Sequence, residues 1–293
     1  MDKEQLKKVV MWIRHADSIL IGAGSGLSAD AGADYTDTKD FAEFFPGMVK
    51  RGFHMRAELI GYTAWPEALK WGYLAKHLNQ IRFELPPAPV YERLLDIVRD
   101  REYFVITTNA DAMFERNGFD TDRIYTPQGS YALLQYETPC TTQTWPSKPI
   151  IDQILPFVDP GAQEVTDESV IPKCPNCGGP ISMNVRGGDW FIEEPYLEQA
   201  ERYDAWLHAH DKEKIVCIEI GAGFNTPVWI RFPMERVIRQ NSRARLVRIN
   251  LAQPGVPEAI AKRSISCRDR AIDAITTIHG ELFGNDETNE KLL

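Results

Sequence analysis

The chain has no apolar run near the roughly 20 residues that a membrane-crossing helix needs, so no membrane partner is expected. Residues 1–18 are charged throughout and lack the unbroken apolar stretch of a secretory leader, and a cytoplasmic location is the expectation. Basic residues are in deficit. Against 42 Asp and Glu stand 33 Lys and Arg, a formal net charge of -9 that disfavours a nonspecific hold on nucleic-acid phosphates. Arg243, Arg245 and Arg248 make only a short basic cluster beside a predicted strand, so no nucleic-acid partner is expected. Cysteine is scarce and odd in number, five, which does not suit a disulfide framework. Only six histidines are available as a general base: His15, His54, His77, His208, His210 and His279. No internal repeat or low-complexity tract occurs.

What is present is a strand–helix alternation. Leu6, Val9, Val10 and Ile13 recur at helical spacing and predict a helix over 4–14. The apolar run 18–21 ends in Gly22, as a buried parallel strand entering a turn would. A helix over 89–99 leads into a strand over 103–107, and a short strand is expected at 124–125. Further strands are read over 214–220 and 245–250, and a closing helix over 269–283; the last stretch, 284–293, should fray. This rhythm predicts an α/β fold, a Rossmann-type parallel sheet with helices on both faces. Two stretches break it: 41–85 is aromatic-rich and reads as short helices, and 131–204 is rich in Pro and Gly with no clean period. The expected domains are therefore 1–40, 86–130 and 205–293 as the Rossmann-type domain, with a helical insertion, 41–85, and a Cys-knuckle insertion, 131–204, forming an inserted smaller domain.

The segment 22–30 follows a predicted strand and opens a predicted helix. Small residues at Gly22, Ala23 and Gly24 would let the backbone approach a pyrophosphate whose charge the helix N-terminus, near Ser28, stabilises. A tight strand-to-helix connection without a ligand would look the same. A dehydrogenase fits poorly, because Leu27 stands at the last glycine of the dinucleotide fingerprint and no acidic strand end follows about 20 residues later. After the strand 103–107 come Thr108, Asn109 and Asp111, where open α/β sheets place ligand-contacting groups. Asn109 and Asp111 could hold a carboxamide and a ribose hydroxyl, or either could simply cap the helix that follows.

In order and spacing, Gly22 to Gly24, Asp34 and Tyr35, Thr107 to Asp111, and Gln128 to Ser130 resemble the sirtuins. Gly221, Ala222 and Gly223, then Asn250 and Leu251, then Cys267 and Arg268 extend the resemblance from about residue 18 to 278. Departures are specific: Ala33 and Thr36 replace a Pro and an Arg, Thr108 a Gln, and Gln128 the His that serves deacylating sirtuins as general base. Gln128 can orient a hydroxyl but does not titrate near neutral pH. A sirtuin with Gln there resembles the class M, macrodomain-linked group. That resemblance implies NAD as substrate and an NAD-dependent protein mono-ADP-ribosyltransferase acting on a lipoylated carrier related to the glycine cleavage H protein. It also implies reversal by a partner macrodomain hydrolase and a role in oxidative stress. Asn109, Gln128 and Asp111 are the expected catalytic residues, orienting the nicotinamide ribose. The rival expectations are a protein-lysine deacylase and a non-catalytic NAD or lipoyl sensor.

Cys174 and Cys177 match one half of a sirtuin zinc knuckle, but the other half is Cys140 with Gln143 in place of its second Cys. Three thiolates are one short of a closed tetrahedral site. A structural zinc, a metal-free turn and a redox-sensitive dithiol all remain open. Cys217 lies mid-strand and reads as core. His54 and His77, in the helical insertion, are the candidates for a substitute base. Tyr35 resembles the family's aromatic cover over the nicotinamide.

Overall fold

The computed structural model describes residues 1–62, 64–137 and 140–284, so the expected fraying of 285–293 lies outside the described residues. Among them nine strands occur in chain order: β1 (Ser18–Ala23), β2 (Glu102–Thr107), β3 (Ile124–Tyr125), β4 (Gly129–Tyr136), β5 (Trp145–Pro146), β6 (Ile181–Val185), β7 (Ile215–Ile220), β8 (Arg245–Ile249) and β9 (Ser264–Cys267). They form two sheets, and the chain divides into two compact units.

The first unit comprises Met1–Gly32, Pro86–Gln128 and Tyr196–Leu293. Its six-stranded sheet has the order β3-β2-β1-β7-β8-β9, parallel throughout. The strands read as continuous apolar runs because both faces are covered: every residue of β1 and β7 is buried. Leu20, Phe104, Ile106, Cys217 and Leu246 face one way, against Tyr203 and Trp206 of the helix Leu197–Ala209 and Met234 and Ile238 of the helix Arg231–Gln240. Ile19, Ile21, Val105, Ile218 and Val247, on the opposite face by alternation, are equally inaccessible. The helix Ala271–Phe283 packs on both Lys3–Arg14 and Pro89–Val98. The helix Lys3–Arg14 begins on Asp2, which caps Gln5 in a reciprocal capping box. Strand order reverses between β1 and β7, so the C-terminal ends of these neighbours flank the switch point where doubly wound sheets bind ligands. None of the described helices is long and apolar enough to cross a membrane.

The second unit comprises Ala33–Leu85 and Gly129–Pro195. The short helices expected over 41–85 are present, among them Thr38–Phe44 and Glu67–Leu78. The stretch without a readable period contains an antiparallel sheet, β5-β4-β6. Its alternation is hidden because β4 shifts register between Ser130 and Leu134, and β5 has only two residues. The unit limits differ from those read in the sequence at three places, the smallest being Gly129 and Ser130, which open β4 and so fall in the second unit. Residues 33–40 join the second unit, where the Tyr35 carbonyl accepts from the Ala57 amide. Residues 196–204, which carry the first part of the helix Leu197–Ala209, join the first, because Tyr203 packs on Phe104 beside Trp206.

Candidate active site

Two glycine-bearing turns meet at the switch point. The Gly24 amide donates to the Ile220 carbonyl (2.9 Å) and the Gly26 amide to the Gly221 carbonyl (3.2 Å). A Cβ on Gly24 would lie 2.7 Å from the Ala222 Cα, and one on Gly26 would lie 2.8 Å from the Gly221 Cα. Gly221 itself has φ +63, the left-handed region that favours glycine. The third close-packing position of the turn is thus Gly26, which the sequence reading passed over, and Leu27 points into the core with no exposure. The visible signal was the alternation Gly22, Gly24, Gly26. This turn leads into only a short helix, Ser25–Ala29, with no side-chain cap.

Strand β2 ends beside the same turn. The Thr107 hydroxyl donates to the Ala23 carbonyl (2.9 Å), the Thr108 amide donates to the same oxygen (3.1 Å), and Asn109 Nδ2 donates to the Gly24 carbonyl (3.0 Å). Asp111 is buried. One of its oxygens accepts from the Ser28 hydroxyl and the other from the Met113 amide at 3.0 Å. Both oxygens are therefore engaged inside the fold. The next residue, Ala112, sits at φ 59, an uncommon conformation for a residue with a Cβ and one that gathers at functional sites. Gln128, half-buried after β3, has no side-chain hydrogen bond among the described residues.

On the far side, Asn250 donates to the Ala222 carbonyl (2.8 Å) and accepts from the amides of Ala252 and Gln253 (3.0 and 2.7 Å). Leu251 is exposed, Cys267 is buried with its carbonyl accepting from the Asn250 amide (3.1 Å), and Arg268 holds the Leu251 carbonyl (3.1 Å). Cys267 therefore offers a ligand only its backbone. Its thiol is pushed up to about 12, by burial first and then by Asp269. Arg268 lines an open cavity of ≈ 630 Å³ with Phe224, Phe232, Gln253 and Pro257. Beneath it lies a buried charge cluster. Arg248 binds Glu219 (2.7 Å) and Glu235 (3.0 Å), and Arg231 lies 3.4 Å from Glu219. Arg231 and Arg248 also donate to the carbonyls of Gln253 and Gly255, fixing the loop that follows β8.

The candidates Asp34 and Tyr35 belong to the second unit. Asp34 accepts from the Thr36 amide (2.8 Å) and hydroxyl (2.7 Å), and the Tyr35 hydroxyl bonds that of Tyr131 at 2.7 Å. His77 is 3% exposed, stacked on Tyr73 (5.4 Å) with Tyr35 and Tyr131 edge-on, and its pKa falls to about 3 through burial and then the Arg56 charge. An imidazole sealed among rings has no route to a substrate proton, so it is not the substitute base. His54 is exposed, with its backbone amide on Glu58.

In the same unit the sulfurs of Cys140, Cys174 and Cys177 lie within 4.8 Å of one another, 3.5 Å for the first two. A hydrogen bond from Tyr136 holds the Cys177 thiol down at about 7. Three converging soft donors fit zinc at three of its four positions. Cys140, Cys174 and Cys177 would hold such an ion, and it would brace the second unit.

The doubly wound parallel sheet, the paired glycine turns at its switch point and the three-thiol cluster on a small antiparallel sheet are together the sirtuin fold. A Sir2 homologue solved as an NAD complex superposes with a TM-score of 0.61 over 97% of this chain and 95% of that one, at 19% identity. No family model matches the chain. A probable bifunctional ADP-ribose hydrolase/ADP-ribosyltransferase of Fusarium oxysporum f. sp. cubense is 37% identical over 256 residues, 85% of this chain. The chain spans 42% of that relative's length. A protein ADP-ribosyltransferase of Staphylococcus aureus is 30% identical over 291 residues, covering 95% of this chain and 87% of the relative. The chain belongs to the protein ADP-ribosyltransferases and has the sirtuin fold.

Proposed function

We propose that the protein transfers one ADP-ribosyl group from NAD to a lipoylated carrier protein related to the glycine cleavage H protein, releasing nicotinamide. The observation that carries this reading is the residue type at 128. A glutamine stands where a titrating base would serve acyl transfer, and the polar side chains of the switch point, Thr107, Thr108, Asn109 and Asn250, are neutral. Breaking the bond between nicotinamide and ribose needs little acid or base. The leaving group departs with the bonding pair from a pyridinium and becomes neutral, while the ribose carbon becomes an oxocarbenium-like cation. Holding that sugar and stabilising its charge is a positioning and electrostatic task, assigned to Asn109 and Gln128. An acceptor carboxylate, ionised at neutral pH, then forms the new bond without giving up a proton.

The name of the Fusarium relative joins ADP-ribose hydrolysis to transfer, which supports a partner macrodomain hydrolase that removes the group. A reversible mark on a lipoyl carrier suits a response to oxidative stress, and the proposed place of action is the cytoplasm. Neither nucleic acid nor a membrane has a part in the proposal. The test is the intact mass of a lipoylated carrier after incubation with NAD and the purified protein. A gain of one ADP-ribosyl group is expected, falling at least 100-fold in rate in Asn109→Ala, the cost of losing a principal electrostatic contact. An unmodified carrier together with ready release of acyl-ADP-ribose from acyl-lysine peptides would replace this reading with deacylation, and NAD binding without nicotinamide release would replace it with a sensor.

A further inference from the structure

Strand β7, the glycine turn 221–223, the helix Arg231–Gln240 and strand β8 repeat the strand–turn–helix–strand order of a dinucleotide-binding half. With Asn109 and the nicotinamide ribose on the side of β1 and β2, the adenosine of the donor falls to this half, where the open cavity lies. Phe224 and Phe232, 56% and 42% exposed, line the cavity and offer flat apolar surface to a base. The Arg231 guanidinium lies over the Phe224 ring, 4.3 Å from its centroid.

In such halves the residues near the end of the second strand decide how the adenosine ribose is held. A carboxylate there accepts from the 2′-hydroxyl and repels a 2′-phosphate, whereas an arginine pairs with that phosphate. Strand β8 is followed by Asn250, Leu251, Ala252 and Gln253, none of them acidic. Among the described residues Glu235 is the one carboxylate that lines the cavity, and both of its oxygens are engaged, by Arg248 at 3.0 Å and Arg239 at 3.4 Å. Asp269 is paired with the Met1 amino group at 2.5 Å. The charged group left at the rim is Arg268, directly after β9. Its Nη1 donates to the carbonyls of Leu251 (3.1 Å) and Ala252 (3.4 Å), which holds the guanidinium beside the end of β8. Its Nε and Nη2 have no protein partner among the described residues.

We infer that the protein accepts NADP as well as NAD as its ADP-ribosyl donor, with the adenosine 2′-phosphate paired to Arg268. This deepens the transferase reading above and rests on it. The 2′-phosphate takes no part in the bond changes. The bond between nicotinamide and ribose breaks as it does in NAD, nicotinamide leaves neutral with the bonding pair, and the acceptor carboxylate gains an ADP-ribosyl group that keeps its 2′-phosphate. Arg268 is exposed, so solvent and salt screen the pair and the preference between the two donors is modest.

The test is the Kd of NAD and of NADP for the full chain by calorimetry, with AMP and adenosine 2′,5′-bisphosphate as a second pair that differs only in the 2′-phosphate. No acceptor protein is needed. NADP should bind within about tenfold of NAD, and the bisphosphate more tightly than AMP. Arg268→Gln should move the ratio of the two dinucleotide Kd values against NADP by at least about fivefold, the effect of one screened charged hydrogen bond. Ala252→Asp, which sets a carboxylate just beyond β8, should move it in the same direction. Native NADP binding more than about tenfold weaker than NAD, or a ratio that Arg268→Gln moves by less than about fivefold, would overturn the inference. So would nicotinamide release from NAD but not from NADP. A carrier left unmodified by both donors while nicotinamide is released would count against the proposed acceptor alone.

Discussion

Gln128 is a single residue whose chemistry can be put to a direct test. Its amide does not titrate in the physiological range, and the one buried imidazole of the second unit is held neutral, so neither supplies an ionisation near pH 6.5. Nicotinamide release by the native chain should then be flat within about twofold from pH 6 to 8. Gln128→His should introduce a limb near the ordinary imidazole value, about 6.5. A native limb at that pH, abolished by no change at 128, would mean that another group carries the proton. The same scale shows how far residues can be read from sequence. Gly24, Asn109 and Gly221 were legible because a turn at a strand end forces their type. Tyr91, whose hydroxyl lies 3.4 Å from that of Ser28, was not, because it reads as one more apolar position on the amphipathic helix Pro89–Val98, and only the folded chain brings together two residues 63 positions apart.

Elements were legible where one strong periodicity rules. The strands β1, β2, β7 and β8 are buried on both faces, and their unbroken apolar runs announced them. The four-residue β9 and the bulged β4 carry too few alternating positions to stand out. The helix Glu67–Leu78 was expected as part of an aromatic insertion; its burial of His77 was not, and this has a measurable consequence. The folded His77 has a pKa of about 3, while the unfolded chain titrates near 6.5. Below pH 6.5 the unfolded state therefore takes up a proton that the folded state refuses. Stability falls as pH falls, by up to about 1.4 kcal/mol per pH unit, until the folded value is reached. His77→Phe keeps a ring between Tyr73, Tyr35 and Tyr131 and removes an Nδ1 that has no partner. Between pH 6.5 and 4.5 the native chain should lose about 2–3 kcal/mol more than the variant, read as the difference in their denaturation midpoints. Parallel pH profiles would show that the imidazole is charged in the folded chain.

At the scale of the whole molecule, the glycine turns with Asn109 lie in one unit and the three thiols in the other. A zinc ion on Cys140, Cys174 and Cys177 would add folding energy to the antiparallel sheet by removing freedom from the segments that carry the sulfurs, and it would supply no charge to the sugar chemistry. The effects of metal loss and of Asn109 loss should therefore separate. Metal analysis should find close to one zinc per chain. Cys174→Ser should lose it and lower Tm, by about 2–4 °C for each kcal/mol forfeited in a chain of this size, while the Kd for NAD stays within about twofold. A native chain with less than about half a zinc would assign the thiols to the redox alternative. Cys140 and Cys174, 3.5 Å apart, should then close to a disulfide under mild peroxide, which takes up their two electrons and leaves as water, and the intact mass should fall by two hydrogens. Sequence alone left these outcomes level because the missing fourth cysteine, Gln143, is a local fact, whereas the convergence of the remaining sulfurs depends on β4 and β6 pairing across about 50 residues.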